Sequence, residues 1–392
     1  MRFSARTGWE LGENALTVKL RERRARGERV LDLTASNPTA CGFVYEPEVL
    51  LSPLAVPAAL EYEPEPFGLK QARAAVTAYY RDHGAEVPVE SICLTTSTSE
   101  AYSYLFRLLC DPGDEVLIAR PSYPLFDFIA RLDSVVLREY PLQYDPGASA
   151  ASAHGWTIDF VALQRAINER TRAVVVVHPN NPTGNYASQS EREELETLCA
   201  QRGLALIVDE VFLDYAIHSE AKPRSFASRN GPALCFVLSG LSKVCALPQM
   251  KLSWIAARGP EDALNDVLAR LEVVADTFLS VNGPTQAALP SWLSGRGVLQ
   301  KQIRERVRRN LAALDTRLRG THADRLALEG GWTAVLRVPR AVDGKPFAEA
   351  ALDRGVLVQP GEFYGLPDGR AVVSLLSVPE VWDCGLKLLP ID

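Results

Sequence analysis

No stretch of this 392-residue sequence approaches the roughly 20 consecutive apolar residues of a membrane-spanning helix, so nothing in it reads as crossing a bilayer. The seven cysteines are odd in number, widely spaced and without a C-x-x-C pair, which argues against a disulfide framework and a zinc site and fits a reducing, cytoplasmic setting. Five scattered histidines make no metal-binding pattern. Basic charge is not in excess either. Lys and Arg number 42 against 48 Asp and Glu, a net charge of -6, whereas nucleic-acid binders carry a clustered basic face. Arg21, Arg23, Arg24 and Arg26 alternate with Glu22 and Glu28, and Arg304, Arg306, Arg308 and Arg309 share a helical pattern with Ile303, Val307 and Leu311; both runs read as solvated helix faces. Arg2 and Arg6 follow Met1 without an apolar segment, so no secretory signal is expected. No internal repeat is visible. These exclusions leave a small molecule as the expected partner, with neither nucleic acid nor membrane.

What is present is enough apolar material for a large core: 47% hydrophobic residues and 23% charged ones. Single cores stop growing near about 250–300 residues, so two domains are expected. From about residue 70 to 280, helical patterns alternate with short, continuously apolar runs at Ser91–Thr96, Glu115–Ala119, Ala173–His178, Leu204–Val208 and Leu234–Leu238. Strands buried on both faces read this way, and the intervening helices imply an α/β fold built on a mainly parallel sheet. A long helical pattern around 296–318 and short runs at Thr333–Val338 and Val372–Leu376 suggest a smaller α+β domain. The division expected is a large domain over 45–282 and a small one from 283–392, joined by 1–44. Residues 145–155, rich in Ala, Ser and Gly, read as a surface loop.

Each apolar run leads into polar residues that packing does not require. Leu204–Val208 ends at Asp209-Glu210, Ala173–His178 leads to Asn180-Asn181-Pro182-Thr183-Gly184, Glu115–Ala119 leads to Tyr123-Pro124, and Leu234–Leu238 leads to Ser242-Lys243. Ligands of open parallel sheets bind outside the carboxyl ends of the strands, so these groups are expected to meet in one crevice. Ser97-Thr98-Ser99-Glu100 opens an apolar helix, whose unpaired N–H groups, hydroxyls and positive dipole end suit a phosphate. A lysine, a strand-terminal aspartate, an aromatic ring and a phosphate nest are what pyridoxal 5′-phosphate requires: Lys243 to form the Schiff base, Asp209 to keep the pyridine nitrogen protonated. Taken singly, each of these features also occurs as an ordinary turn or helix cap.

With these segments the chain resembles the class I/II aminotransferases, pyridoxal phosphate enzymes of fold type I, from about Leu31 to the C-terminus. The matching residues are Ser36-Asn37-Pro38, Tyr62 with Phe67-Gly68-Leu69 and Arg73, Ser97-Thr98-Ser99, Pro112-Gly113-Asp114, Tyr123-Pro124, Asn181-Pro182-Thr183-Gly184, Asp209-Glu210-Val211, Ser242-Lys243 and Pro360-Gly361. The resemblance implies an aldimine on Lys243, Tyr123 stacked on the cofactor ring, Asn181 at the ring O3′ and the substrate carboxylate, and Asp209 at N1. It further implies Ser97, Thr98, Ser99, Ser242 and Lys251 at the phosphate, and a homodimer in which Tyr62 serves the neighbouring subunit. Ser36 and Asn37 fall at the substrate end.

Four positions depart from the family pattern. Phe212 stands in place of a tyrosine facing O3′, Gly240 in place of a phosphate-contacting serine, Lys251 in place of an arginine, and Val372 in place of the arginine that holds the substrate carboxylate. Arg370, two residues before Val372, is expected to cover part of that loss, although a solvated turn position explains it as well. The segment Thr277-Phe278-Leu279-Ser280 offers no second arginine, which disfavours dicarboxylates. The expected reaction is transfer of an amino group from an amino acid to a 2-keto acid. Elimination, racemisation or cyclisation of a specialised amino acid on the same scaffold stays open, as does a cofactor-binding regulator, which the absence of a helix-turn-helix segment disfavours.

Overall fold

The computed structural model describes residues 1–145, 147–149, 155–218, 224–228 and 231–392, so the expected surface loop at 145–155 lies partly outside the described residues. Eight strands form the main sheet in the spatial order Ile92–Thr95, Ser253–Arg258, Cys235–Gly240, Ala205–Asp209, Thr171–Val177, Glu115–Arg120, Val136–Tyr144 and Trp156–Ile158. The five strands from Cys235–Gly240 to Val136–Tyr144 run parallel, while Ser253–Arg258 is antiparallel to both of its neighbours.

Continuous apolar runs are required because both faces are covered. In Thr171–Val177, Val174 and Val176 join one core layer, whereas Ala173, Val175 and Val177 join the opposite one. The helices Lys70–Asp82 and Gly283–Gly295 fill the first layer through Val76, Tyr80, Leu289 and Trp292. The second is filled by Thr98–Leu109 and Glu261–Phe278 through Ala101, Leu105, Leu271 and Ala275.

A smaller antiparallel sheet places Asp324–Arg325, Thr333–Arg337, Arg370–Ser374 and Gln359–Pro360 side by side. Helix Gly297–Leu318 packs Ile303, Val307, Leu311 and Leu314 into its own core, with Trp382 and Leu386 of helix Pro379–Leu388. The N-terminal segment enters this region through Leu31–Asp32, which pairs in parallel with Val356–Leu357.

One arginine run is only in part the solvated face that its pattern suggests, since Arg308 and Arg309 are exposed whereas Arg304 and Arg306 are half-buried. Arg306 is half-buried, donates to the carbonyls of Cys41 and Leu376 at 3.1 Å each, and lies 4.9 Å from the Phe43 ring centroid. Its guanidinium thus satisfies carbonyls that lie outside any strand. The first run stays largely exposed on helix Ala15–Ala25. No helix among the described residues is long and apolar enough to cross a membrane.

Candidate active site

At the carboxyl end of Cys235–Gly240 the chain makes one helical turn, Leu241–Val244, that carries Lys243. Three bonds fix this turn from the outside: Tyr215 donates to the Lys243 carbonyl at 2.6 Å, Gln300 Nε2 to that of Val244 at 2.8 Å, and Tyr45 to that of Ala246 at 2.8 Å. The ammonium of Lys243 lies 4.9 Å from the Trp332 ring centroid and 5.5 Å from that of Phe212. Burial among these rings disfavours the charged form and brings its pKa down to about 8, against the opposing pull of Asp209.

Asp209 ends the adjacent strand. Burial pushes its pKa up to about 6, although its Oδ1 accepts from the Val211 amide at 3.1 Å and its Oδ2 from Tyr102 at 3.2 Å. Glu210, the next residue, points away from this site. It accepts from Ser225 Oγ and the Phe226 amide at 2.6 Å each, and full burial lifts its pKa to about 7. Successive side chains leaving a strand diverge, so only one of the two carboxylates reaches the site.

Helix Thr98–Leu109 begins beside Asp209. Ser97 caps it by accepting from the Glu100 amide at 3.1 Å, which leaves the N–H groups of Thr98 and Ser99 directed out of the helix end. On the other side, Gly240 pairs with Ser253 of the antiparallel strand, and a Cβ at 240 would come within 2.2 Å of Ser253 Oγ. Ser253 Oγ thus occupies the space that a side chain at 240 would fill. Lys251 adds a cation from a left-handed turn position with φ of 50°.

These groups line one cavity of about 410 Å³. Ser36, Ser97, Thr98, Ser99 and Tyr123 border it, as do Asn181, Asp209, Phe212, Ser242, Lys243 and Lys251. Three expected residues do not. Asn37 turns its Oδ1 to the Thr39 amide at 3.1 Å, capping the turn Pro38–Ala40. Tyr62 is 81% exposed and borders a different hollow with Glu61 and Asn282, so within one chain it does not meet Lys243. Arg370 shares a strand face with Val372, but it lies at the outer end of the strand, donates Nη1 to its neighbour Gly369 at 2.9 Å and borders a third cavity beside Asn14 and Arg340. The displacement of two residues carries it past the site rather than into it.

Tyr102, Ser253, Trp332 and Gln359 also line the cavity and were not anticipated from sequence. For Tyr102 a signal existed: it lies one helical turn after Thr98 and so faces the same side. The other three arrive by strand register and by chain from the small sheet, which no local pattern announces.

Over 282 residues the chain is 32% identical to the alanine aminotransferase of Mycobacterium tuberculosis, a stretch that covers 71% of this chain and 63% of that protein. It is 29% identical over 271 residues to the glutamate-pyruvate aminotransferase AlaA of Escherichia coli, covering 69% of this chain and 64% of the relative. Less than two thirds of each curated relative's length is therefore matched. The solved alanine aminotransferase of Pyrococcus furiosus superposes over 99% of this chain and 98% of its own with a TM-score of 0.86 at 24% identity, which shows a shared fold type I architecture. The family model for aminotransferase class I and II matches residues 59–380, and the chain belongs to that family.

Proposed function

We propose that the protein is an aminotransferase that holds pyridoxal 5′-phosphate at Lys243 and moves an amino group from an amino acid to a 2-keto acid. The observation that carries this reading is the meeting, in one cavity, of a half-buried lysine with a lowered pKa and a buried aspartate with a raised one. Opposed shifts of this kind, in groups that share a cavity, are what acid–base chemistry requires.

The residues present fit the cofactor. Asn181 Oδ1 is a buried acceptor without a partner among the described residues, and Asp209 is a carboxylate whose burial calls for a cationic partner such as a protonated ring nitrogen. The N–H groups of Thr98 and Ser99, with Ser242, Ser253 and Lys251, form a donor set suited to a phosphate. Tyr123, 41% exposed at the cavity mouth, offers a face for an aromatic ring. When bound, pyridoxal phosphate supplies an electron-accepting ring that stabilises negative charge at the substrate Cα.

Lys243 would serve twice, as the attachment point and as the base that moves the Cα proton. A pKa of about 8 leaves an appreciable neutral fraction near pH 7 and keeps the conjugate acid strong enough to return the proton. Asp209, held by Tyr102 and the Val211 amide, cannot swing away from the ring nitrogen. Phe212 and Trp332 flank Nζ and lower the polarity around it. The active unit would be a homodimer, in which the exposed Tyr62 and Leu60 meet the second subunit, and its setting the cytoplasm.

Incubation with the common amino acids and a 2-keto acid, followed by product analysis, tests the reading. Equal molar appearance of a new amino acid and a new keto acid is expected. Ammonia release or racemisation without consumption of the keto acid would overturn it in favour of a lyase or racemase.

A further inference from the structure

The cavity is poor in positive charge. Among the described residues that line it, Lys243 and Lys251 are the cations, and neither arginine nor histidine contributes. Both lysines stand where the cofactor would engage them. At the wall formed by the small sheet, Val372 is buried in the core directly opposite Gln359 on the adjacent strand. Gln359 is half-buried and lines the cavity; its Oε1 accepts a hydrogen bond from Tyr364, and its Nε2 has no partner among the described residues. An amide held by its oxygen presents its two N–H donors in a fixed direction. Beside it, Thr333 Oγ1 is already committed to the Pro182 carbonyl at 3.0 Å.

We propose that Gln359 is the specificity-determining residue for the polar group next to the substrate's reacting carbon, and that it reads that group through uncharged hydrogen bonds. The inference rests on the amino-transfer reading above. A guanidinium in a partly dry cleft binds a carboxylate through two charge-assisted bonds and discriminates against neutral replacements. An amide N–H donates to the oxygen of a carboxylate, a carboxamide or an alcohol with much less distinction. The substrate class is thus primary amines bearing an α-carboxylate, α-carboxamide or α-hydroxymethyl group, rather than α-amino acids alone.

The test uses 2-methylalanine and 2-methylalaninamide, which lack a Cα proton and so bind without turnover. Their dissociation constants on the cofactor-loaded protein are measured by calorimetry, beside kcat/KM for L-alanine and L-alaninamide. In the unsubstituted protein acid and amide should agree within about tenfold in both measurements, because the site supplies no charge-assisted bond that distinguishes them. Gln359→Arg should shift the binding ratio toward the acid by about 10- to 100-fold, and Gln359→Glu should shift it toward the amide. Preference for the acid beyond tenfold in the unsubstituted protein, or a ratio unchanged in both variants, overturns the proposal. The two readings fail separately. Conversion of L-alanine with strong acid preference sinks only the neutral recognition, whereas probes that bind in the expected ratio without any amino exchange sink only the amino transfer.

Discussion

Lys243 and Asp209 are each held in the less comfortable protonation state at neutral pH, and this has a measurable sign. The folded pKa of Lys243, about 8, lies below its ordinary 10.5, so the unfolded chain binds more protons between those values. The destabilisation is therefore full below about pH 8 and disappears as pH rises past 10.5. Lys243→Met should abolish amino transfer. It should also raise the melting temperature of cofactor-free protein at pH 7, by the equivalent of at most about 3 kcal/mol, a gap that closes above pH 10. Thermal melts at pH 7 and 10.5 check this, and equal gaps at both would refute the assignment of a buried charge. At the neighbouring position, Asp209→Ala should lower kcat far more than it weakens cofactor binding, since the ring loses the partner of its protonated nitrogen. Ser253, which fills the space above Gly240, gives a third test. If its hydroxyl serves the phosphate, Ser253→Ala should weaken cofactor binding by about 1.5–3 kcal/mol, as for a hydrogen bond to a charged group. Equilibrium titration followed by absorbance reads this directly, and unchanged affinity would remove Ser253 from the phosphate set.

Among the elements, four of the five parallel strands were legible because burial on both faces leaves a continuous apolar signature, as in Ala173–Val177. The helix start at Thr98 was legible from its capping serine. Three strands of the main sheet were not, among them Trp156–Ile158, whose three residues at the sheet edge are too few to carry a pattern. Val136–Tyr144 mixes exposed and buried positions near the sheet edge, and Ser253–Arg258 follows a left-handed turn with nothing in its sequence to signal that it inserts between Ile92–Thr95 and Cys235–Gly240. That insertion is what brings Ser253 to Gly240, so the missing strand and the missed residue have one cause. Trp332 and Gln359 escaped for a related reason: each reaches the cavity from a sheet whose placement depends on tertiary packing. Helix Gly297–Leu318 supplies the clearest link between that packing and the site, through Gln300 Nε2 and the Val244 carbonyl. Gln300→Ala should leave this buried carbonyl unpaired and cost about 1–3 kcal/mol of stability in denaturant unfolding. Because it loosens the turn carrying Lys243, kcat should fall as well; a stability loss with unaltered kcat would show the helix to be a passive support.

The molecule as a whole stores two uncompensated groups in its cavity, so a ligand that satisfies both should stabilise strongly. Cofactor at a hundredfold excess over its dissociation constant is expected to add about 2.7 kcal/mol, visible as a concentration-dependent rise in melting temperature. The cavity is also a long-range construction. Its walls run from Thr34 to Ser374, and Leu31–Asp32 must find Val356–Leu357 before the small sheet is tied to the N-terminal segment. During synthesis, Lys243 and Asp209 leave the ribosome well before Trp332, Gln359 and Ser374 exist. A nascent chain can therefore carry both side chains without the walls that shield them, and on the proposed reading capture of the cofactor becomes one of the last events in its maturation rather than a template for it.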